Sequence, residues 1–470
     1  MPLPDYSRTS TDPPALTLPE LEQRLRGTVL RRGEKGYEEE TAVYNTSVPS
    51  RPAIVVTAAD AEDVREAVSF AARQDRPIAV QATGHGATVA ADEALLINTR
   101  RMNHVEVFPD TRTARVGAGA LWRDVIVAAA PHGLAPLNGS SETVGVVGYT
   151  LGGGLGLFSR KYGYAADHVH AMDVVTADGE LVRATPHERS DLFWALRGGK
   201  GNFGVVTSME FSLFPAPTVY AGGLIFPGEA SEDVLRLWHA WTADCPEDLT
   251  SSLALLRLPD APPVPEPLRG RLMVHLRIVH LGSPVEGERL IAPFREMDRP
   301  PVVDTVREMP YAEIATVYND PADPSPYRQC SLSLARLDHD TVDSLLEIAG
   351  PDSDCTDMIV ELRHLGGALT RPPRVPNAVG AREAEFTLTT LSFAPPGSPP
   401  PDHTDTVLGR IRHRSSGSRV VNFLSGPEAA DLTSEAFDVE TFTRLSRIKN
   451  DHDPRNLFRV NHNVPPVGDR

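Results

Sequence analysis

His85 is the residue with the clearest chemical potential, because Gln81-Ala82-Thr83-Gly84-His85-Gly86-Ala87-Thr88 sets one imidazole in a backbone of small residues. Gly84 and Gly86 lack a Cβ, which lets the main chain approach a flat or phosphorylated ligand closely and leaves His85 as the reactive side chain on that surface. Standing alone, the loop also reads as an ordinary surface turn with a solvated histidine. It does not stand alone. A second small-residue tract runs from Gly139-Ser140-Ser141-Glu142-Thr143-Val144-Gly145 through Gly148-Tyr149 to Gly152-Gly153-Gly154, and a third reads Arg197-Gly198-Gly199-Lys200-Gly201-Asn202-Phe203-Gly204-Val205-Val206. Successive backbone N–H groups in such turns form anion-binding nests without any basic side chain, so Ala82 to Ala87 and Thr143 to Gly148 could hold a diphosphate.

Taken in this order and spacing, the three tracts resemble the vanillyl alcohol oxidase type of FAD-dependent oxidase (the PCMH-type FAD-binding fold), and within it the berberine bridge enzyme-like branch. That family's first loop reads Arg-Gly-Gly-Gly-His-Ser, with the histidine bonded to the flavin 8α carbon. His85 is the matching position, while Gln81, Ala82, Thr83 and Gly86 depart from the usual Arg, Gly, Gly and Ser. The resemblance implies FAD contacts from Ala82, Thr83, Gly84, His85, Gly86 and Ala87. It implies others from Ser141, Thr143, Val144, Gly145, Gly148, Tyr149, Gly153 and Gly154, from Gly204, Val205 and Val206, and from Asn461 and Asn463 in the closing motif Asp453 to Pro466. Bicovalent members carry a second link through a cysteine at the position of Ser141. A hydroxyl cannot replace that thiolate, so the expectation is one covalent bond, through His85, and none through cysteine. Val144 matches a position over the oxygen-reactive edge of the flavin, where a small apolar side chain is compatible with oxidase behaviour.

Substrate oxidation by a flavin usually needs a base to take a proton from the adjoining hydroxyl or amine. Many relatives use a tyrosine of a Tyr-x-Asn-Tyr motif; the matching stretch here, Val420-Val421-Asn422-Phe423, has neither tyrosine. The replacement candidates are Glu361, in Ile359-Val360-Glu361-Leu362-Arg363-His364-Leu365-Gly366-Gly367-Ala368, and Tyr149. Strand alternation puts Glu361 and Arg363 on one face and His364 on the other. A desolvated Glu361 with a raised pKa would serve as base, and a Glu-Arg pair on a sheet face is the plainer reading. For Tyr149 the plainer reading is packing against the cofactor.

The 470 residues suffice for two or three domains, and 41% hydrophobic with 23% charged residues fits an ordinary globular chain. A net charge of −17 disfavours nucleic acid and anionic lipid as partners. Lysine occurs only at Lys35, Lys161, Lys200 and Lys449, a bias towards arginine that suggests a high-GC bacterial genome. Three widely spaced cysteines, Cys245, Cys330 and Cys355, offer no zinc or redox pair and are expected as buried, reduced thiols. Met1 to Pro19 lacks a signal-peptide pattern and no apolar run approaches 18 residues, so a cytoplasmic protein without membrane spans, and without a metal site, is expected.

The elements that would position this chemistry follow from periodicity. Residues 1 to about 48 are expected as a loose lead-in with one short helix, Leu16 to Arg26, followed by a buried strand at Ala53 to Val56, a helix capped by Asp60 with Val64, Ala67, Val68 and Ala71 inward, and a strand from Pro77 to Gln81 parallel to the first. The His85 loop then leaves the carboxyl end of a strand, where ligands bind in open α/β sheets. Further strands are expected at Leu95 to Ile97 and Ala114 to Val116, then a helix from Leu121 to Pro131, and a hairpin from Asp173 to Arg183 around a type I′ Asp178-Gly179 turn. Gly117-x-Gly119 and Gly154-x-Gly156 fall short of a dinucleotide fingerprint. From Pro215 to about residue 417 alternating stretches such as Leu272 to Val279 and Glu385 to Thr389 indicate an antiparallel sheet with one face open. The fold class is therefore α+β: a discontinuous FAD-binding domain (1–214 and 418–470) enclosing a substrate domain (215–417).

The implied activity is an FAD-dependent oxidase acting on a small secondary metabolite with an alcohol, amine or activated C–H bond, with O2 as electron acceptor. Oxidative cyclisation is a second possibility within that fold. A pseudo-oxidase that keeps FAD for a non-redox cyclisation, or only binds its ligand, is the alternative of another class. The oligomeric state is not encoded in any feature noted above.

Overall fold

The computed structural model describes residues 17–262, 264–399 and 406–468; the first 16 residues of the expected lead-in lie outside the described residues. After helix α1 (Leu18–Arg24), a four-stranded sheet is built from β1 (Thr28–Leu30), β2 (Ile54–Thr57), β3 (Ile78–Gln81) and β4 (Leu95–Asn98). Helix α2 (Ala61–Arg73) links β2 to β3, and the Asp60 carboxylate caps it by accepting from the N–H groups of Glu62 and Asp63. Its inward stripe of Val64, Ala67, Val68 and Ala71 packs with Val56 and Ile97. The expected parallel pair is modified: the order is β1-β2-β4-β3, so β4 lies between β2 and β3 and is parallel to both. Burial explains the insertion. All four residues of β4 are buried, whereas Val80 of β3 is 44% exposed, so the strand that is apolar on both faces takes the inner position.

A second, antiparallel sheet carries β5 (Val105–Phe108), β6 (Thr113–Gly117), β7 (Val169–Val175), β8 (Leu181–Ala184) and β9 (Val205–Ser212) in the order β5-β6-β9-β7-β8. Helix α3 (Trp122–Ala129) lays Trp122, Val125 and Ala129 into its core, and the short α4 (Val146–Leu151) carries the second glycine tract. The β7–β8 hairpin is present, but its turn is not type I′. Only Gly179 has a positive φ (80°), and the Gly179 N–H bonds the Thr176 carbonyl; Asp178 instead accepts from the Thr176 hydroxyl and the Glu180 N–H.

The third sheet is eight-stranded and antiparallel. Its main strands are β10 (Thr218–Pro227), β11 (Leu249–Arg257), β12 (Leu272–His280), β13 (Tyr327–Leu334), β14 (Ile359–His364) and β15 (Phe386–Phe393), in the order β10-β12-β11-β14-β15-β13. One face is apolar: Leu224, Leu276, Leu253, Leu362 and Leu388 pack under α5 (Ser231–Thr242), α6 (Pro284–Arg295) and α7 (His339–Ala349). The other is polar, with Arg277, Ser252, Arg363, Thr387 and Ser333 in one cross-strand row and His275, Ala254, Glu361, Thr389 and Ser331 in the next. That face is not open as its alternation suggests. His275, Arg277, Glu361, Thr387 and Thr389 are all buried, because the glycine-rich half of the molecule covers it. The three cysteines are free and only half-buried. No helix among the described residues is long and apolar enough to cross a membrane.

The C-terminal helix α8 (Val439–His452) returns to the first half. Lys449, fully buried, donates to Asp453 at 2.7 Å and to the Asn202 carbonyl at 2.8 Å, while Asp453 accepts from the N–H groups of Leu457 and Phe458. Asn202 in turn holds Val464 N–H and the His462 carbonyl. One buried ion pair thus ties the third glycine tract to the tail. Asp453→Ala leaves Lys449 charged and unpaired in the interior, and we expect a loss of about 3–5 kcal/mol in urea unfolding, whereas Arg444→Ala at the exposed pair with Asp191 should change stability by less than about 1 kcal/mol.

Candidate functional site

After β3, every carbonyl of the first loop from Ala82 to Ala87 except that of Gly86 has a donor. Ala82 O accepts from Arg100 Nε (2.8 Å), Thr83 O from Tyr44 N–H (2.9 Å), Gly84 O from Asn45 N–H (3.2 Å), His85 O from the Tyr327 hydroxyl (2.7 Å) and Ala87 O from Gly426 N–H (3.0 Å). The N–H groups from Thr83 to Ala87 donate to no acceptor among the described residues. Gly84 is required twice over: its φ is +74°, and a Cβ would stand 2.7 Å from Val43. At Gly86 a Cβ would meet nothing within 4 Å. The loop is therefore gripped from behind and open in front.

His85 stacks on Tyr44 with ring centroids 3.8 Å apart. Its Nδ1 lies 2.8 Å from the Thr83 hydroxyl and its Nε2 3.5 Å from the Thr143 hydroxyl, which is itself 2.9 Å from Ser141 Oγ. Burial pushes its pKa down to about 4, so the ring is neutral and carries a free lone pair at neutral pH. Ser141 and Thr143 thereby meet the first loop at the histidine. In the second tract the N–H groups of Ser140, Ser141, Glu142 and Val144 likewise donate to nothing among the described residues. Gly145 faces Ala82, with 3.5 Å to a notional Cβ, and Gly148 opens onto free space.

Other expected contacts fall differently. A Cβ on Gly153 would press on Val379, one on Gly154 would lie 2.5 Å from the Tyr149 ring, and one on Gly204 would lie 2.6 Å from the Val175 carbonyl, so these glycines serve close packing. The side chains of Val205 and Val206 point into the apolar cores, leaving only their backbone for a ligand. Tyr149 packs edge-on against Trp122; its hydroxyl is buried without a partner and its pKa is raised well above the ordinary phenol value by burial. The ring is thus packed as a wall of the second tract, with its hydroxyl free of any partner among the described residues. Asn461 and Asn463 both keep a buried side-chain oxygen with no partner, beside Gly201 in the case of Asn461.

Glu361 sits on the polar sheet face, on the same side as Arg363, with His364 opposite. Its carboxylate is 2.7 Å from Arg277 Nη1 and 2.8 Å from Arg363 Nη2. Desolvation pulls its pKa up, but Arg363 and Arg277 outweigh it, and the carboxyl rests below its ordinary value. The expected raised pKa is thus corrected: two guanidinium groups stabilise the charged form and make Glu361 a poor proton acceptor. Arg277 and Arg363 stack on Tyr318 at 4.4 and 5.1 Å, and Arg363 also covers Phe423 at 4.8 Å.

Several residues of this site have no strong sequence signal. Tyr44 and Asn45, in the stretch read as a loose lead-in, clamp the His85 loop. Tyr327 does so from the third sheet. Lys200 is a deep ammonium that donates to Asn422 at 2.5 Å and is pushed down to about 8 by burial. Asn422 completes the link by donating to the Tyr149 carbonyl.

Residues 52–185 match the family described as FAD binding domain, and residues 421–465 match the family described as berberine and berberine like. Over both segments the chain is similar to the berberine bridge enzyme-like FAD-linked oxidases. It is 27% identical over 464 residues to (R)-6-hydroxynicotine oxidase of Paenarthrobacter nicotinovorans, covering 94% of this chain and 98% of that protein. The crystal structure of 6-hydroxy-D-nicotine oxidase from Arthrobacter nicotinovorans superposes with a TM-score of 0.79 at 26% identity, over 94% and 98% of the two chains. The xylooligosaccharide oxidase of Myceliophthora thermophila in complex with xylobiose gives 0.79 at 25% identity, over 96% and 99%. The chain is an FAD-dependent oxidoreductase with a two-domain α+β fold. The residues present fit the cofactor: two runs of unclaimed N–H groups, open space at Gly86 and Gly148, and orphaned amide oxygens at Asn461 and Asn463.

Two outcomes follow. Gly86→Val should leave the urea midpoint of the apoprotein unchanged and lower FAD affinity, read by fluorescence titration, by at least roughly tenfold, since its added methyls enter only the space in front of the loop. The second concerns pH. His85 is held at about 4, and His364 and His462 at about 3, against 6.5 for a free imidazole. The unfolded chain therefore binds more protons below pH 6.5, so their contribution to stability is complete above that pH and is lost as pH falls through the folded values. Apoprotein unfolding midpoints should decline from about pH 6.5 downwards, and His85→Asn should flatten the decline.

Proposed function

We propose that this protein is an FAD-dependent oxidase of a small secondary metabolite, with the flavin bonded covalently through His85 alone. The observation that carries this reading is the first loop, which offers a neutral, half-buried imidazole between two open runs of N–H donors. Ser141, one hydroxyl away from His85 through Thr143, provides no thiolate for a second link. Residues 1–214 and 418–470 would form the FAD-binding domain and 215–417 the substrate domain. The substrate would carry an alcohol, amine or activated C–H bond.

Bound FAD supplies hydride acceptance at N5 and reoxidation by O2 with release of H2O2. The chain's own contribution is positional. Thr83 to Ala87, with Ser140, Ser141, Glu142 and Val144, keep N–H groups unclaimed for a ligand, Thr83 and Thr143 orient the His85 ring, and Val144 leaves the second tract without bulk at the expected oxygen edge. Phe423 and the doubly paired Glu361 leave the polar sheet face without a proton acceptor of raised pKa. That observation favours oxidative cyclisation, or a substrate that loses its proton without a strong base, as a second reading within the same activity.

A substrate-independent test is available. Holoprotein reduced by dithionite under argon and then mixed with aerated buffer should reoxidise with one H2O2 per flavin, and Val144→Leu should slow that step. Slow reoxidation in wild type without stoichiometric peroxide would contradict the oxidase reading and favour an FAD-retaining non-redox enzyme.

A further inference from the structure

The polar face of the third sheet holds more positive charge than it can neutralise. Glu361 is the buried carboxylate there, and it is shared by Arg277 and Arg363 at 2.7 and 2.8 Å. Other groups facing the cluster add no compensating charge of comparable burial. His275, 3.2 Å from Arg277 Nε through its Nδ1, is kept neutral by burial and by Arg277; Tyr318 is a phenol with its pKa raised by burial; Asp320 is exposed and accepts from Ser140 at 2.6 Å. Lys200, the other cation of the site, has among the described residues only the Asn422 amide as side-chain partner. An unpaired charge in such a place is destabilising unless a ligand completes it.

The donors show where that ligand would sit. Glu361 takes Nη1 of Arg277 and the Nε and Nη2 edge of Arg363. Arg277 Nη2 and Arg363 Nη1 have no acceptor among the described residues, and neither is among the buried polar atoms left without a partner, so both keep access to solvent. Arg363, Tyr318 and Phe423 each retain part of their surface, with the Arg363 guanidinium over both rings.

We infer that the substrate is an organic carboxylate whose anionic group is bound by the free edges of Arg363 and Arg277, its apolar body lying along Tyr318 and Phe423. A planar guanidinium fork matches a carboxylate bidentately, and the aromatic walls suit a flat or hydrocarbon body. The inference rests on the oxidase reading only for the reaction, not for the binding. Glu361 has the role of a positioning residue: it holds both guanidinium groups with their remaining donors outward.

The test uses oxidised holoprotein and three carboxylate–amide pairs: acetate and acetamide, phenylacetate and phenylacetamide, benzoate and benzamide. Binding is followed by perturbation of the flavin absorption bands. At least one carboxylate should bind roughly tenfold or more tightly than its amide, with the preference weakening at high salt. Arg363→Met, with FAD content and unfolding midpoint checked, should abolish the preference, and Arg363→Lys should retain part of it. Glu361→Gln keeps an oxygen that accepts from the guanidinium groups but removes the charge that competes for them, so it should tighten carboxylate binding several-fold, which a purely structural role would not do; weaker binding would also overturn the inference. Equal or absent binding of every pair, a preference that survives Arg363→Met, or unchanged affinity in Glu361→Gln would each overturn the inference. Loss of peroxide release on reoxidation would instead count against the oxidase reading and leave carboxylate binding untouched.

Discussion

A backbone segment whose carbonyls are nearly all satisfied and whose N–H groups are all left over is complete only with an acceptor from outside the chain. That asymmetry governs the His85 loop. Five donors from four different parts of the sequence, namely Arg100, Tyr44 and Asn45, Tyr327, and Gly426, hold the carbonyl side. They fix the orientation of the open side as firmly as a hinge pin. The second tract has the same polarity, its Glu142 and Val144 carbonyls held by the N–H groups of Arg123 and Trp122, and the two meet at the hydroxyl chain Ser141, Thr143, His85. Much of the architecture can be understood as the scaffold that keeps these two edges facing one another: β3 and α2 behind the first, α3 and the second sheet behind the other, and the Lys449–Asp453 pair locking the third tract beneath the tail.

The third sheet completes the site by sacrificing the open face that its sequence pattern suggests. Alternation in β12 and β15 distinguishes two faces correctly, but it cannot say what lies against the polar one. Here that face is buried under the glycine-rich half, and its charges survive burial because they are paired, stacked on Tyr318 and Phe423, or neutral like His275. The electrostatic result is opposite to that of a general base. A carboxylate between two guanidinium groups is anchored in its charged form, so the chemistry of the face is recognition of negative charge rather than proton removal.

Much of this was legible in the sequence, and for definite reasons. Small-residue tracts around a lone histidine mark a cofactor loop because only glycine and alanine permit such close approach, and Asp60, Gly133 and the α2 stripe announce their own helix boundaries and buried face. What was not legible depends on tertiary partners. The insertion of β4 between β2 and β3 follows from relative burial, not from either strand's pattern. The packing roles of Gly153, Gly154 and Tyr149 depend on atoms distant in sequence. Tyr44 and Tyr327 are unremarkable residues until the chain folds them onto His85, and the lowered pKa of Glu361 requires Arg277, which lies on another strand.

The central claim is that His85 is the single point of covalent attachment, and intact-mass spectrometry of the acid-denatured holoprotein, followed by peptide mapping, tests it most directly. The account predicts a protein heavier by one flavin adenine dinucleotide, with the adduct confined to the peptide containing His85 and no modification on Cys245, Cys330, Cys355 or the Ser141 peptide. An unmodified protein mass with all flavin released would contradict the covalent assignment, and an adduct on any other residue would contradict the reading of the loop itself.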